Sequence, residues 1–205
     1  MNILYVVLHG KSSDHRHEGI METWGKNKNI IFYSDYEDPD KKIYKVSNRT
    51  DYSSNEEKHL NSFLLVNNLN TKYDWFFFCD DDTFVNTEYL ENTKFDENFI
   101  HGSIITGCWP HDKNLEYCSG GAGYLISKNI LIKIYENLFN SNTGFSDVSL
   151  VYIAKKCNIP FLNDDRFRSQ NPSFFNIKDI EIKNFFTFHY VKTKDDQIKL
   201  LNLCS

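Results

Sequence analysis

The run Trp75-Phe76-Phe77-Phe78-Cys79, followed at once by Asp80-Asp81-Asp82, constrains this chain more than any other segment. Its apolar residues show no polar alternation, so the strand they form must be covered on both faces. Such strands belong to mainly parallel sheets with helices packed above and below. A strand of that kind delivers the residues after it to the carboxyl edge of the sheet, where open α/β folds bind ligands. Here those residues are three carboxylates. A two-residue side-chain period sends Asp80 and Asp82 to one side and Asp81 to the other. Carboxylates this close repel unless a cation or hydrogen-bond donors neutralise them. A hard divalent ion, shared between one or two carboxylates and a diphosphate, meets that need. A merely solvated turn would not require a buried aromatic strand to present it.

The same continuous apolar pattern recurs at 3–8 and 30–33, with a shorter candidate strand at 43–46. A polar loop at 10–14 leads into a helix that runs to Trp24, with Gly25 as its stop. Ser54-Asn55-Glu56-Glu57 reads as a capping box, opening a helix that buries Leu60, Phe63 and Leu64 and ends near Leu69. Further on, the spacing predicts a short helix at 88–91, an extended segment at 104–108 and a loop at 120–123. Ser127 caps a helix whose face is Leu131, Ile134, Tyr135 and Leu138. Another helix runs from Asp147 to Cys157. A late strand at 185–191 precedes a last helix from Thr193, with Asp196 three residues on. Strands alternating with helices make an α/β fold with a mostly parallel central sheet. No repeat or Pro/Gly/Ser linker divides residues 1–205, which read as one domain.

Composition sets the outer limits. The net charge of −5 argues against nucleic acid as a partner, since phosphate contacts need a basic face. The opening apolar run is too short for a membrane span or a signal-peptide core. As given, the chain is therefore expected in the cytoplasm, with the Golgi or ER lumen as the address if an anchor has been trimmed. Five cysteines show neither CxxC nor zinc spacing. Scattered reduced thiols are the favoured reading, although Cys108 and Cys118 could close a hairpin in an oxidising compartment.

Haloacid-dehalogenase-type phosphatases also place Asp-x-Asp at a strand end, so a metal-dependent phosphatase is an alternative. They carry Thr or Val two residues past the second Asp, where this chain has Phe84, and their motif normally follows the first strand. Further segments point elsewhere. Arg16 and Glu22-Thr23-Trp24 follow the first strand, and Phe32-Tyr33-Ser34-Asp35 ends the second. Ser119-Gly120-Gly121-Ala122-Gly123, Ser146-Asp147-Val148 and Phe188-His189-Tyr190-Val191 come after the acidic triplet. In this order and spacing the chain resembles the Fringe and core-1 β3-galactosyltransferase group of inverting glycosyltransferases, over about residues 3–203.

The resemblance implies a GT-A, Rossmann-like nucleotide-sugar-binding fold, a UDP-sugar donor and Mn²⁺ (or Mg²⁺). It further implies a glycan, glycoprotein or lipid-linked acceptor. It assigns Asp82 and His189 as metal ligands, sets Asp80 and Asp81 against the ribose and donor sugar, and puts Asp35 on the uracil side. Asp147 matches the general base, with Asp164 or Asp165 next in line. Gly120 and Gly121 lack side chains, so a backbone can approach a ligand closely there. Val151 departs from the group, which usually has Gly at that place, and bears on how the acceptor approaches.

Each residue also has a plainer reading. Trp24 suits core packing, Arg16 a helix end or acidic loop, Asp35 a loop-stabilising turn, Asp147 a helix N-cap, and His189 a satisfied core histidine. A catalytically silent nucleotide-sugar-binding module of the same fold is the non-enzyme alternative.

Overall fold

The computed structural model describes residues 1–69, 72–106 and 111–204. In its first half, strands β1 (Ile3–Leu8), β2 (Ile30–Ser34), β3 (Ile43–Lys45) and β4 (Trp75–Asp80) alternate with helices α1 (Asp14–Glu22) and α2 (Asn55–Asn68). The short β5 (Phe84–Val85) and α3 (Thr87–Asn92) follow, then β6 (Ile100–Gly102), β7 (Ile104–Thr106), β8 (Glu116–Cys118) and β9 (Tyr124–Ser127). Helices α4 (Lys128–Glu136) and α5 (Ser146–Lys156) precede β10 (Phe161–Asn163), β11 (Phe167–Arg168) and β12 (Thr187–Phe188), and α6 (Lys194–Cys204) ends the described chain.

Seven of these strands form one sheet, ordered β10-β6-β9-β4-β1-β2-β3. Only β9 runs against its neighbours. Leu8 pairs with both Tyr33 and Asp80, so the carboxyl ends of β1, β2 and β4 lie level along one edge. Strand alternation splits the core into two layers. Ile3, Tyr5, Val7, Phe77 and Cys79 pack with Ile20 of α1 and Leu200 of α6. Leu4, Val6, Phe76 and Phe78 pack with Phe63, Ile134 and Ile153 of α2, α4 and α5. A small sheet, β11-β12-β5, sits beside the acidic triplet, and a β7–β8 hairpin packs on α5.

Several expectations change in detail. Helix α1 stops at Glu22, and Trp24 enters the core with Nε1 donating to the Thr83 carbonyl at 3.1 Å. The Ser54 capping box does not form: Ser54 Oγ turns back to the carbonyls of Asp51 and Arg49. Leu64 is exposed, because α2 turns Glu56, His59, Phe63 and Val66 inward instead. The strand expected at 185–191 shortens to β12, since Tyr190 adopts a left-handed backbone with φ of 59°. Ser127 does cap α4, accepting from the Ile130 amide, and Thr193 and Asp196 bond reciprocally at the start of α6. Cys79, Cys118, Cys157 and Cys204 are free thiols, while Cys108 lies outside the described residues.

Candidate active site

Strand β4 ends at Asp80, and the turn that follows, closed by the Thr83 amide on the Asp80 carbonyl at 3.2 Å, separates the three carboxylates. Asp80 and Asp82 join His189 in one cluster, whose three ligand atoms all lie within 4.8 Å of one another. His189 Nε2 stands 3.1 Å from Asp82 Oδ1 and 3.8 Å from Asp80 Oδ2. Asp81 turns the other way. Its Oδ1 accepts from Arg16 Nη1 at 2.6 Å, and its Oδ2 contacts His9 Nδ1 at 2.8 Å and accepts from Ser13 Oγ. The expectation that Arg16 meets an acidic loop thus holds, and its Nη1 also lies 3.6 Å from Asp82 Oδ2.

His189 reaches the triplet because β12 pairs antiparallel with β5, the strand directly after the acidic turn. The Val191 amide donates to the Asp82 carbonyl at 2.8 Å and closes the arrangement. Above the imidazole lies Gly121, where a Cβ would overlap the ring. Two threonines fix that glycine segment. Thr83 Oγ1 donates to the Gly121 carbonyl and Thr187 Oγ1 to the Ala122 carbonyl, both at 2.6 Å. Gly123 needs glycine, with φ of 78° and Phe77 against its Cα.

The charges show what the cluster lacks. Burial pushes Asp80 upward, and neighbouring Asp82, Asp81 and Asp147 add to this against the pull of His189, taking it up to about 7. Burial also acts against a charged Asp82, but His189 and Arg16 outweigh it and hold the carboxyl below its usual range. His189 would be lowered by burial; Asp82 and Asp80 raise it instead. Its Nδ1 lies 3.3 Å from the Ser169 carbonyl, which only a donor can satisfy, so a neutral ring turns its Nε2 lone pair toward the carboxylates. Two carboxylate oxygens and an imidazole nitrogen form a donor set that fits a divalent cation of the Mn²⁺ or Mg²⁺ kind.

Two cavities share this cluster. One, of about 450 Å³, is bounded by the ends of β1 and β2, the start of α2 and the triplet; it includes His9, Arg16, Asp35, Lys58 and Asp80. Asp35 Oδ1 accepts from the Lys11 amide and Ser34 Oγ, both at 3.1 Å, so the residue stabilises its loop and also lines the cavity. The other cavity, of about 320 Å³, has Asp80, Gly120, Gly121, Asp147 and His189 in its walls. Asp147 is the second residue of α5 rather than its N-cap, which is Phe145. Burial raises its pKa, partly countered by the backbone amides of Val148 and Gly120. Asp164 pairs with Arg166 at 2.6 Å, and neither it nor Asp165 lines these cavities. Val151 also lies away from them, buried with Leu115, Tyr117 and Val148 beneath the hairpin.

Sequence reasoning missed His9, Ser13, Lys58 and Tyr52 as parts of this region. His9 had a usable signal, since it directly follows the first buried strand. Nothing local marks Lys58, which α2 brings in from the opposite wall.

Comparisons with known proteins agree with this geometry. A glycosyltransferase involved in the glycosylation of the major capsid of PBCV-1 superimposes with a TM-score of 0.55 at 14% identity, over 98% of this chain and 100% of its own. The WbbM bifunctional glycosyltransferase gives 0.56 at 12% identity over 98% of this chain and 49% of its own. GlyE of Streptococcus pneumoniae TIGR4 gives 0.50 at 13% identity over 91% and 54%. The chain thus spans about half the length of the latter two. Its α/β architecture is the GT-A fold of these glycosyltransferases. Residues 7–204 match the family described as Fringe-like, and the chain belongs to that family of glycosyltransferases.

Proposed function

We propose that this chain moves a hexose or N-acetylhexosamine from a UDP-sugar to a hydroxyl of a glycan, glycoprotein or lipid-linked acceptor, with inversion at the anomeric carbon. The observation that carries this reading is the Asp80–Asp82–His189 cluster, standing where one cavity meets the cavity of Asp147. Asp82 and His189 would hold Mn²⁺ or Mg²⁺, with Asp80 beside them toward the donor. Such an ion supplies neutralisation of the diphosphate and of the charge that develops on departing UDP.

The protein's own groups do the rest. Asp35 and the ends of β1 and β2 receive the nucleoside side of the donor. Arg16 and His9 fix Asp81, so the wall facing the ribose and sugar is set before binding. Gly120 and Gly121 leave room for the donor sugar. Asp147 takes the proton of the acceptor hydroxyl as that oxygen bonds to the anomeric carbon and the bond to UDP breaks. A buried carboxylate with a raised pKa suits a base. One displacement inverts the centre, and no enzyme nucleophile is needed.

A panel of UDP-sugars tests this, read by UDP release with Mn²⁺ and again with excess EDTA. The expected result is release with at least one sugar, abolished by EDTA and stimulated by an acceptor glycan. Full activity in EDTA, or metal-dependent UDP binding with no turnover on any sugar, would overturn the proposal; the latter outcome marks a silent binding module. Among the described residues, no helix is long and apolar enough to cross a membrane.

A further inference from the structure

Glu56 is a buried carboxylate that the proposed chemistry does not use. It is the second residue of α2, is 3% exposed, and faces the loop that joins α4 to α5. Both oxygens are engaged. Oε1 accepts from the Ser141 amide at 2.8 Å and Ser141 Oγ at 2.6 Å, and Oε2 from the Gly144 amide at 2.7 Å and Thr143 Oγ1 at 3.1 Å. Burial opposes the charge, but these donors outweigh it and hold the carboxyl below its ordinary value. Asn142 and Gly144 take left-handed backbone, with φ of 56° and 74°, which their residue types allow, and the Glu56 carboxylate ties that turn to α2. From Gly144 the chain runs directly through Phe145 and Ser146 to Asp147, and all four residues line the smaller cavity. The Phe145 ring meets Tyr52 edge-on at 5.9 Å, completing that wall.

We infer that Glu56 is a positioning residue for glycosyl transfer: it fixes the 141–147 segment so that Asp147 and the acceptor-facing wall are in place before the acceptor arrives. The inference rests on the reading of Asp147 as the base. It does not involve the donor cavity, which Glu56 does not line. Disturbing Glu56 should therefore separate the two substrates.

Glu56→Gln keeps the size but turns one acceptor oxygen into an NH₂ donor that faces other donors. Hydrogen exchange should show lost protection at the Ser141 and Gly144 amides. Transfer should fall roughly 10- to 100-fold in kcat/KM for the acceptor, with UDP affinity unchanged. If this variant does not fold, Ser141→Ala combined with Thr143→Val removes two of the four donors while leaving the carboxylate paired to the backbone. It should give a smaller loss of the same kind. Retained protection in Glu56→Gln would overturn the inference. So would lost protection with acceptor kinetics unchanged below the melting transition, because Glu56 would then be a structural tie only. A wild-type protein that transfers nothing would defeat the glycosyltransferase reading and the acceptor role together, whereas amide exchange reads the tether independently of turnover.

Discussion

His59 and His189 both sit among aromatic side chains, yet they face opposite chemical situations. His59, on α2, lies between Phe63 and Phe78, with Nδ1 3.1 Å from the Tyr33 hydroxyl and Nε2 2.7 Å from the Tyr124 hydroxyl. Burial pushes it down to about 3, so it is neutral and both nitrogens are satisfied. His189 stacks on Tyr190 with ring centroids 3.8 Å apart, but its Nε2 faces Asp82 and Asp80, which raise its pKa. The difference lies in the partners: hydroxyls can adapt to a neutral ring, whereas two carboxylates demand positive charge. One histidine completes a core, and the other leaves a charge balance that a cation can resolve.

Matched substitutions should break that comparison cleanly. His189→Phe keeps an aromatic ring but removes the nitrogen donor, so metal-dependent UDP binding and turnover per folded molecule should be lost, beyond any stability cost of leaving Asp80 and Asp82 without their partner. Gly121→Ala should act in the same direction, because its methyl would displace the His189 ring. His59→Phe should do the reverse. It removes the His59 partner of the Tyr33 and Tyr124 hydroxyls and leaves the buried Tyr124 hydroxyl unsatisfied, at a cost of about 1–3 kcal/mol, while turnover per folded molecule is kept. Calorimetry of UDP binding with Mn²⁺, run beside thermal melts, separates the two outcomes. Metal-dependent UDP binding and turnover kept in His189→Phe would show that His189 too is only a packing residue.

Asp147 offers the next largest effect and sharpens the comparison on the acceptor side. Asp147→Asn preserves size and can still accept the Val148 amide bond, seen at 2.9 Å, but removes the basic carboxylate. Transfer should drop by ~10²–10⁴-fold, with UDP affinity and melting temperature close to wild type. A stability loss with the transfer rate intact would reduce the residue to a support for the first turn of α5.

The sequence made the central strands legible because burial on both faces leaves no polar alternation, and β1, β2 and β4 lie where those runs predict. It also indicated that Asp81 would part from Asp80 and Asp82, although the parting is made by a turn after β4 and not by the extended segment that the two-residue period assumes. The pairing of His189 with the triplet came through resemblance to a family; the residue types around it are those of any core histidine. The Glu56 tether and the inward Lys58 were invisible for a related reason. Both depend on how α2 is rotated against the sheet, and the apparent capping box at Ser54 assigned the neighbouring glutamate a local role instead. Leu64 was misplaced by the same rotation, which puts polar Glu56 and His59 inside and one leucine outside.

The smallest expected effect concerns pH and isolates the core histidine. His59 has its pKa near 3 when folded, against about 6.5 in an unfolded chain. Above 6.5 both states are neutral and the fold keeps its full stability. As pH falls below 6.5 the unfolded chain takes up a proton that the buried ring refuses. Stability is therefore lost toward pH 3, by about 1.4 kcal/mol per pH unit. His59→Gln can still hydrogen-bond but cannot titrate. It should be less stable than wild type at pH 7.5 yet show a shallower decline between 6.5 and 5, above the usual carboxylate range. His17, which burial also pushes down, contributes to both proteins alike and so cancels from the difference. Urea unfolding at pH 7.5, 6.5, 5.5 and 5 measures the two slopes. Parallel lines would mean that His59 is protonated in the folded protein, and the contrast between the two histidines would then no longer rest on charge.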